Sequence, residues 1–531
     1  MSKTIIIIGA GLAGLSAALQ AAENGCNVKL VSFLPSERAQ SVMAEGGINA
    51  ALNTKDENDS PEEHFTDTIK AACGLADPNA VWGMTQAAPE LVHWLLKLGV
   101  KFNMSGYDDV DLRNFGGQKK KRTAFAQSDT GKQIMTAMID AVRRKEASGM
   151  VERFSHHSFL TLRLCGNICC GCVIRDEYSQ ETVELPGDAV IVATGGMHGL
   201  FGNTTGSLSN TGEVTAELFR LGVPLANGEM IQYHPTTVKC GGKRMLISEA
   251  ARGEGGRLFA MKDGKQWYFM EEKYPELGNL MPRDITAREI WKVSHESEVF
   301  LDMTEISDEI ISNKLSGLAD DCMTYLHKDI RKEPVSVLPG IHYFMGGILV
   351  DEQHRTPIQN LYAAGECCAQ YHGANRLGGN SLLGALYGGR VAAKSACEQA
   401  DVVDLSCATQ IDFPPASQIS EIKQLNKVMQ ETMGVVRNEN TLLNGIQTVQ
   451  ALTGNLPLLG MAVLKSALAR KESRGAHWRE DYPKSNDNDY LKTTVGFQYY
   501  FLGVLDMFLL TLHPIPYLVK LASDSLQILF G

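Results

Sequence analysis

The sequence has no excess of positive charge. Its 531 residues include 50 lysines and arginines against 61 aspartates and glutamates, which gives a formal net charge of −11 at pH 7. No basic stripe interrupts this balance. Because binding to a phosphate backbone depends on clustered positive charge, nucleic acid is not an expected partner.

A targeting segment is also lacking. An apolar strand begins almost at Met1, and no charged leader, small-residue cleavage site or twin-arginine pair precedes it. We therefore expect the chain to stay in the cytoplasm.

A disulfide framework and a metal site are not expected either. The 12 cysteines of a cytoplasmic chain predict reduced and mostly buried thiols. Four of them crowd together, namely Cys165, Cys169, Cys170 and Cys172. Residues 168–174, however, have the pattern of an apolar strand, in which adjacent side chains face opposite sides and cannot converge on one ion.

Long apolar runs are rare, and the one near the C-terminus is ambiguous. Residues 495–512 are apolar apart from threonine, glutamine, glycine and Asp506. Eighteen residues are borderline for a membrane span, and an acidic residue near the centre argues against one. We expect a buried helix or a helix at an interface.

What is present at the N-terminus is a strand, a glycine turn and a helix. Ile5–Ile8 run into the letters GAGLAG and then into an alanine-rich helix to about Glu23, and Asn27–Ser32 form a second strand. This order predicts a dinucleotide-binding βαβ unit.

The three glycines of the turn have separate tasks. Gly9 makes the tight turn, Gly11 lets the backbone approach a pyrophosphate, and Gly14 lets the helix pack on the strand. The pyrophosphate then meets the positive end of the helix. Ser32 stands where an acidic residue would hold the ribose, which weakens a simple NAD interpretation.

Further elements follow from local patterns. Residues 189–196 (AVIVATGG) and 360–366 (NLYAAGE) look like later strands of the same sheet. Ser60 followed by proline and two glutamates predicts the start of a helix. Ile419, Ile422, Leu425, Val428 and Met429 recur at helical spacing.

Five segments place charged or polar side chains beside glycine or proline. They are QYHPT (232–236), SEAARGEGG (248–256), PRD (282–284), HYFMGG (342–347) and HGANRLGGNSL (372–382). Glycine next to charge often indicates a close approach to a ligand. Each segment alone is also compatible with a core histidine or a structural ion pair.

In their order and spacing these segments resemble the flavoprotein subunits of succinate dehydrogenase and fumarate reductase. The resemblance runs from near Met1 to about Leu491, and nothing after Leu491 shares it. Between Ala226 and Asp284 it is greatest with variants that serve menaquinone-linked complexes. The motifs that carry it are GAGLAGL, AEGGINAAL, FGG, RTAFA, ATGG, QYHPT, SEAARGEGG, EEKYPELGNLMPRD, HYFMGG, HGANRLGGNSLL and RGAHWREDYP.

The resemblance implies an α/β fold, in which a Rossmann-like FAD-binding domain with an inserted α+β capping domain is followed by a helical domain. We place the FAD-binding domain at 1–226 and 346–402 and the capping domain at 227–345. The helical domain would cover 415–485, and 486–531 would form an apolar C-terminal tail.

It also implies roles for single residues. Arg283 matches the arginine that protonates one alkene carbon while flavin delivers hydride to the other, and Glu249 and Arg252 match a proton-relay pair. Ser248 stands where many relatives have threonine. The substrate-binding residues would be Phe115, His234, Ser248, His342 and Arg376.

Cofactor contacts are implied at positions spread over the FAD-binding domain. They are Gly9, Gly11, Gly14, Ser32, Gln40, Ser41, Gly46, Gly47, Glu213, Glu366, Ser381 and Leu382. Gln40 stands where most relatives have the histidine bonded covalently to flavin, and the first histidine of the chain is His64. We therefore expect non-covalent FAD. Since the histidyl link raises the flavin potential, fumarate reduction is favoured over succinate oxidation.

Two alternatives stay open. L-aspartate oxidase shares the fold, the arginine and a non-covalent FAD, but it has a glutamate near the segment that reads Phe115-Gly116-Gly117 here. A catalytically inactive flavin electron carrier is the second, which intact Arg283 disfavours. The chain has no CxxC-rich ligand set. The resemblance therefore implies a separate iron–sulfur subunit and allows a membrane anchor subunit, which would place the chain at the inner face of the cell membrane.

Overall fold

The computed structural model describes residues 2–106, 109–401, 413, 418–501 and 504–512. The first 226 residues contain the strands and helices that begin the nucleotide-binding fold. Those strands are β1 (Thr4–Ile8), β2 (Asn27–Ser32), β3 (Ile48–Asn49), β4 (Leu112–Arg113), β5 (Thr123–Ala124), β6 (Val151–Ser155), β7 (His157–Cys165), β8 (Ile168–Asp176), β9 (Thr182–Pro186), β10 (Ala189–Val192) and β11 (Leu225–Ala226). The helices are α1 (Leu12–Glu23), α2 (Pro61–Ala71), α3 (Pro78–Lys97), α4 (Thr130–Ala147) and α5 (Glu213–Arg220).

The segment expected to cap the cofactor is a mixture of strands and short helices. Its strands are β12 (Ile231–Cys240), β13 (Lys243–Leu246), β14 (Arg257–Lys262), β15 (Lys265–Trp267), β16 (Val299–Asp302), β17 (Val335–Ser336) and β18 (Leu338–Phe344). Its helices are α6 (Glu249–Gly253), α7 (Phe269–Lys273), α8 (Arg283–Val293), α9 (Asp308–Lys314) and α10 (Ser316–Asp321). A separate apolar core that includes Leu258, Ile290 and Leu301 holds them together.

The chain then returns to the first domain and continues into helices. The returning elements are β19 (Gly347–Leu349), β20 (Leu361–Ala363), β21 (Cys368–Ala369) and α11 (Asn380–Gln399). After them come α12 (Ile419–Thr432), α13 (Glu439–Val449), α14 (Asn455–Ala469), α15 (Asp487–Tyr490), β22 (Thr493–Phe501) and β23 (Val504–Leu512).

A five-stranded parallel sheet is the centre of the nucleotide-binding domain. Its order is β20-β10-β1-β2-β6, so segments far apart in sequence lie side by side. Ile5–Ile8 are buried on both faces, as a continuous apolar strand requires. The two later segments predicted as strands, at 189 and 360, join this sheet, and the predicted α/β fold class is confirmed.

The structure also confirms the two helices that were predicted from local signals. The Ser60 hydroxyl accepts a hydrogen bond from the Glu63 amide at 3.2 Å and caps α2. The predicted helical spacing after residue 415 corresponds to α12, whose Leu425 and Met429 are buried. They pack with α14 and with Phe201 of the first domain. The C-terminal helices therefore share an apolar core with the nucleotide-binding fold.

The prediction of a helix at 495–512 is wrong. Residues 493–501 and 504–512 are the two strands of an antiparallel hairpin, in which Thr493 pairs with Leu512. Strand β22 also pairs with β11, with Val495 opposite Ala226. The hairpin therefore extends the sheet β21-β19-β11-β22-β23. A short apolar run does not distinguish a buried strand from a helix by its period alone.

The cysteine prediction needs one correction. Among the residues that the structure describes, ten cysteines are free, but Cys165 is disulfide-bonded. The strand predicted at 168–174 is β8, and the Cys169 and Cys172 side chains lie in the apolar core that also contains Ile6 and Val190. In the described part of the chain no helix is long and apolar enough to cross a membrane.

Candidate active site

One cavity of about 1180 Å³ contains nearly all the predicted site residues. It begins at the glycine turn after β1, passes the end of β2 and reaches the helix starts of the capping segment. Because it lies at the carboxyl ends of a parallel sheet, it occupies the usual ligand position of such folds. Among the predicted residues, only Gly14 and Arg252 do not line it.

The glycine turn is packed as the spacing predicts. Gly9 has a φ of +110°, and a Cβ on Gly14 would come 1.8 Å from the Gly9 carbonyl oxygen. Gly14 therefore allows the helix to meet the strand, which explains why it does not face the cavity. Gly11 precedes α1 and lines the cavity together with Ser41, whose hydroxyl accepts from the Leu12 amide at 3.3 Å.

The surroundings fit a bound dinucleotide. The Ser32 hydroxyl is buried without a hydrogen-bond partner and lines the cavity. A buried polar atom without a partner is costly, and a ribose hydroxyl would satisfy it. Gly46 and Gly47 are equally constrained, since a Cβ there would lie 2.8 Å from Phe115 Cζ and 2.5 Å from the Ala124 carbonyl oxygen.

The remaining predicted cofactor residues come from four separate elements. They are Gln40, Glu213, Glu366, Ser381 and Leu382. Gln40 begins a short 3₁₀ helix, Gln40–Met43. Burial raises the pKa of Glu213 to about 7, with a further contribution from Glu217. The Glu366 carboxylate accepts from the Phe344 amide at 3.1 Å, and so links the 3₁₀ turn after β20 to the end of β18.

At the other end of the cavity Glu249 binds two arginines. Arg283 donates to Glu249 Oε2 from Nε at 2.8 Å and from Nη2 at 2.6 Å, and Arg252 Nη2 donates to Oε1 at 3.2 Å. Burial opposes ionisation of Glu249, but the charges of Arg283 and Arg252 outweigh it and hold its pKa below the usual value. Arg252 does not line the cavity, so Glu249 connects Arg283 at the cavity wall to a second arginine outside it.

Two helix starts place these groups. Glu249 is the first residue of α6, which Ser248 caps, and Arg283 is the first residue of α8. The glycines beside them are needed for space, because a Cβ on Gly116 would lie 2.5 Å from Glu249 Oε1. The Gly116 amide donates to the same oxygen at 3.2 Å. Glycine thus marks a close approach here, to a carboxylate of the protein itself.

The predicted substrate residues surround Arg283. His234 and His342 have ring centroids 5.1 Å apart, and burial, followed by the charge of Arg283, lowers the pKa of both well below the usual value. Both rings are therefore neutral near pH 7. Burial and then Arg283 lower the pKa of Arg376 to about 9, and its guanidinium lies 4.4 Å from the Tyr343 ring.

Phe115 and Ser248 complete the predicted set. Phe115 is 2% exposed and packs against Gly46 and Gly378, while Ser248 lines the cavity at the start of α6. The His234 Nε2 atom is buried without a partner. His234 Nδ1 can accept from the Thr236 amide at 3.3 Å, and in that tautomer the Nε2 hydrogen is free to bind an acceptor.

Two residues of the site received no role from the sequence. Gln232 Oε1 accepts from Arg283 Nη1 at 3.1 Å, and its Nε2 donates to Asn375 and to the Arg376 carbonyl. Gln232 is the first residue of QYHPT, in which the family resemblance implies a role only for His234. Glu45 lines the cavity, and burial with a further contribution from Asp321 raises its pKa to about 8.

Family models match most of the chain. The FAD binding domain model covers residues 4–382, and the fumarate reductase flavoprotein C-term model covers residues 453–501. The chain is 39% identical over 549 residues to the succinate dehydrogenase flavoprotein subunit of Bacillus subtilis, an alignment that spans 93% of this chain and 94% of that protein.

The chain belongs to the succinate dehydrogenase and fumarate reductase flavoprotein family. It is an oxidoreductase, and FAD is its cofactor. One expectation is corrected, because the family resemblance continues past Leu491 to residue 501. Strand β22, which ends at residue 501, therefore belongs to the part of the chain that matches the family.

Two further relatives have names that state different activities. A mutant of the E. coli quinol fumarate reductase chain FrdA has a TM-score of 0.86 and 27% identity, with 97% of this chain and 98% of that chain covered. The L-aspartate oxidase of Pyrococcus furiosus is 33% identical, with 91% of this chain and 96% of that protein covered. Overall similarity therefore does not separate the two activities.

Proposed function

We propose that the chain interconverts fumarate and succinate and acts mainly as a fumarate reductase, with Arg283 as the proton donor. Bound FAD supplies hydride to one alkene carbon. Arg283 would deliver a proton to the other carbon, and Glu249 and Arg252 would return one to it. The observation that carries this proposal is the Glu249 carboxylate held between Arg283 and Arg252 at the cavity wall.

The charge of the site supports a dicarboxylate substrate. Three guanidinium groups, those of Arg283, Arg252 and Arg376, act on the Glu249 carboxylate, and Glu366 is a second carboxylate near Arg376, so the carboxylates are outnumbered by positive charges. A dianion would offset this excess in a buried place, where electrostatic interactions are strong. The neutral rings of His234 and His342 would add hydrogen bonds to the carboxylate oxygens without adding charge.

Arginine is an unusual acid, because its ordinary pKa exceeds about 12. Proton transfer would therefore have to accompany hydride arrival, when the developing carbanion is the stronger base. The burial of Arg283, which is 6% exposed, favours this coupling, since little solvent competes for the proton.

The direction of the reaction is proposed from Gln40. An amide side chain cannot form the histidyl bond to flavin, so we infer a non-covalent cofactor of lower potential. Precipitation of the holoprotein with acid tests this directly: the yellow colour should stay in solution. A yellow pellet would remove the argument for fumarate reduction.

The electrons for fumarate reduction would have to come from other protein chains. We propose an iron–sulfur subunit as the donor and a membrane anchor subunit as a further partner, which would keep this chain peripheral at the inner face of the membrane. Support comes from the relatives named as subunits, such as the one from Bacillus subtilis. Co-purification from the native host would test this.

The catalytic proposal is tested by replacing Arg283. The Arg283→Ala variant should lose fumarate reduction with a reduced dye by roughly 10²- to 10⁴-fold, as expected for removal of a general acid. Arg288 lies on the same helix but stacks on Trp478, at 4.0 Å from its ring. The Arg288→Ala variant should therefore keep its turnover. An Arg283→Ala enzyme with full activity would revive the electron-carrier alternative.

The L-aspartate oxidase alternative is tested on the wild-type enzyme. Phe115-Gly116-Gly117 lies against Glu249 and offers no free carboxylate for an ammonium group. We expect no peroxide production from L-aspartate and oxygen, and clear oxidation of reduced dye by fumarate. The reverse pattern would replace the proposed function by the alternative.

A further inference from the structure

Two thiols that the proposed reaction does not use lie in contact. Cys26 follows α1 and Cys397 belongs to the last turn of α11, 371 residues further along the chain. Their sulfur atoms are 2.9 Å apart, and both are free cysteines. Each thiol is therefore in direct contact with the other.

The distance is close to that of a covalent bond. A disulfide has sulfur atoms about 2.05 Å apart, so bond formation would require an approach of about 0.9 Å, which small side-chain rotations can supply. Neither helix would have to move as a unit. The pair is thus prepared for oxidation by its position in the fold.

Small molecules can reach one of the two sulfurs. A cavity of about 600 Å³, separate from the flavin site, is lined by Gln20, Asn24, Lys394, Cys397 and Glu398. Cys26 is only 5% exposed, so Cys397 is the thiol that meets a reagent first. Burial raises the pKa of Cys397 to about 12, and the Cys26 thiol adds to this while Lys3 opposes it. Its reaction with a disulfide should therefore be slow.

Helix α1, which ends just before Cys26, and helix α11, which carries Cys397, also form the cofactor site. At their other ends, Gly11 and Leu12 of the first and Ser381 and Leu382 of the second line the flavin cavity. Along their length they are in close contact, since a Cβ on Gly389 would lie 2.3 Å from the Ala13 carbonyl oxygen. A bond at one end of the helix pair would restrain the site at the other.

We propose that Cys26 and Cys397 form a reversible dithiol–disulfide site that takes a small disulfide oxidant and, when oxidised, fastens the two cofactor-binding helices together. The Cys397 thiolate attacks the oxidant, forms a mixed disulfide and releases one thiol. The Cys26 thiolate then displaces the second. The protein loses two electrons and two protons, and the oxidant becomes two thiols. The site does not depend on the reaction proposed above.

The test uses the whole holoprotein and oxidised glutathione. After treatment, non-reducing digestion and mass spectrometry should give a cross-linked peptide pair that contains Cys26 and Cys397, and a thiol reductant should reverse it. The Cys26→Ser and Cys397→Ser variants should lose this species. The Cys73→Ser variant, which changes a free cysteine of another helix end, should keep it.

The coupling to the cofactor is tested by thermal unfolding. The oxidised wild type should unfold at a temperature several degrees above that of the reduced protein, and neither serine variant at 26 or 397 should show this rise. Recovery of the two cysteines only as separate glutathione adducts would overturn the site. A cross-link that left the unfolding temperature and flavin retention unchanged would overturn the fastening of the helices.

Discussion

Gln232 connects two parts of the site that come from distant segments. Its amide oxygen accepts from Arg283, while its nitrogen donates to Asn375 Oδ1 at 3.0 Å and to the Arg376 carbonyl at 2.8 Å. Since Glu249 takes the Nε and Nη2 hydrogens of Arg283, Gln232 fixes the remaining side of the guanidinium. A proton donor works only when its orientation is fixed before the reaction.

Replacement of Gln232 should therefore affect turnover more than binding. We expect Gln232→Leu to lower kcat by roughly 10- to 100-fold with a small change in KM, because a misplaced donor costs this much. Steady-state kinetics with fumarate would measure it. Gln370 is a matched control, since it is 3% exposed and donates to the Asp351 carbonyl outside the site. Gln370→Leu should lose comparable stability and keep kcat.

Glu45 should make stability depend on pH. Burial, with a further contribution from Asp321, raises its pKa from 4.5 to about 8, so the folded protein holds this proton more tightly than the unfolded chain does. The stabilisation is complete below pH 4.5 and is lost as the pH rises to about 8. Urea unfolding across that range should show a decline that Glu45→Gln flattens. An identical slope in the variant would contradict the assignment.

At the scale of elements, the β1–α1 turn has the least tolerance for added atoms. The Gly14 position leaves no room for a methyl group beside the Gly9 carbonyl, so the strand and helix would have to separate. Because α1 begins at the cofactor site, such a shift would change the shape of the cofactor site as well as the packing of the core.

We predict that Gly14→Ala destabilises the protein by about 1–3 kcal/mol or more, the usual cost of overpacking, and weakens FAD retention. Chemical denaturation and flavin release would measure the two effects. A Cβ at Gly242, in the turn between β12 and β13, has no neighbour within 4 Å. Gly242→Ala should therefore be neutral in both assays, and equal losses in the two variants would show that packing is not the cause.

At the scale of the whole molecule, Arg470 joins three parts of the chain. It is fully buried after α14 and donates to Glu229, to Glu472 and to Thr494 at 2.6, 2.9 and 2.7 Å. Two further donors reach the carbonyls of Tyr490 and Lys492. The helices, the start of the capping segment and the hairpin are therefore connected through one guanidinium.

Although Arg470 does not line the cavity, its loss should lower the free energy of unfolding. Arg470→Met would leave Glu229 as a buried charge without its ion pair, at a cost of about 3–5 kcal/mol, while Glu472 would keep its ion pair with Arg474. Denaturant unfolding should show this loss, and adding Glu229→Gln should restore part of it. If the double variant were no more stable than the single one, the buried charge would not be the cause.

The family and the fold class could be predicted from the sequence because their signals are local or occur in a fixed order. The strand of four isoleucines, the glycine turn and the second strand each depend on neighbours within a few residues. The roles of Gln232 and Glu45 were not found, since a glutamine in a motif and a glutamate beside two glycines acquire their meaning from partners elsewhere. The domain boundaries and the individual site roles stay predictions.

What the sequence determined by itself was thus the first βαβ unit, the later strands of its sheet and the order of the motifs, because strand, turn and helix propensity act over short distances. The tertiary structure decided which side chains meet. It brought Gln232 to Arg283 across 51 residues and Cys26 to Cys397 across 371. It also paired residues 493–501 with 504–512 as strands, since β11 provides an edge for backbone hydrogen bonds to β22 that no local pattern predicts.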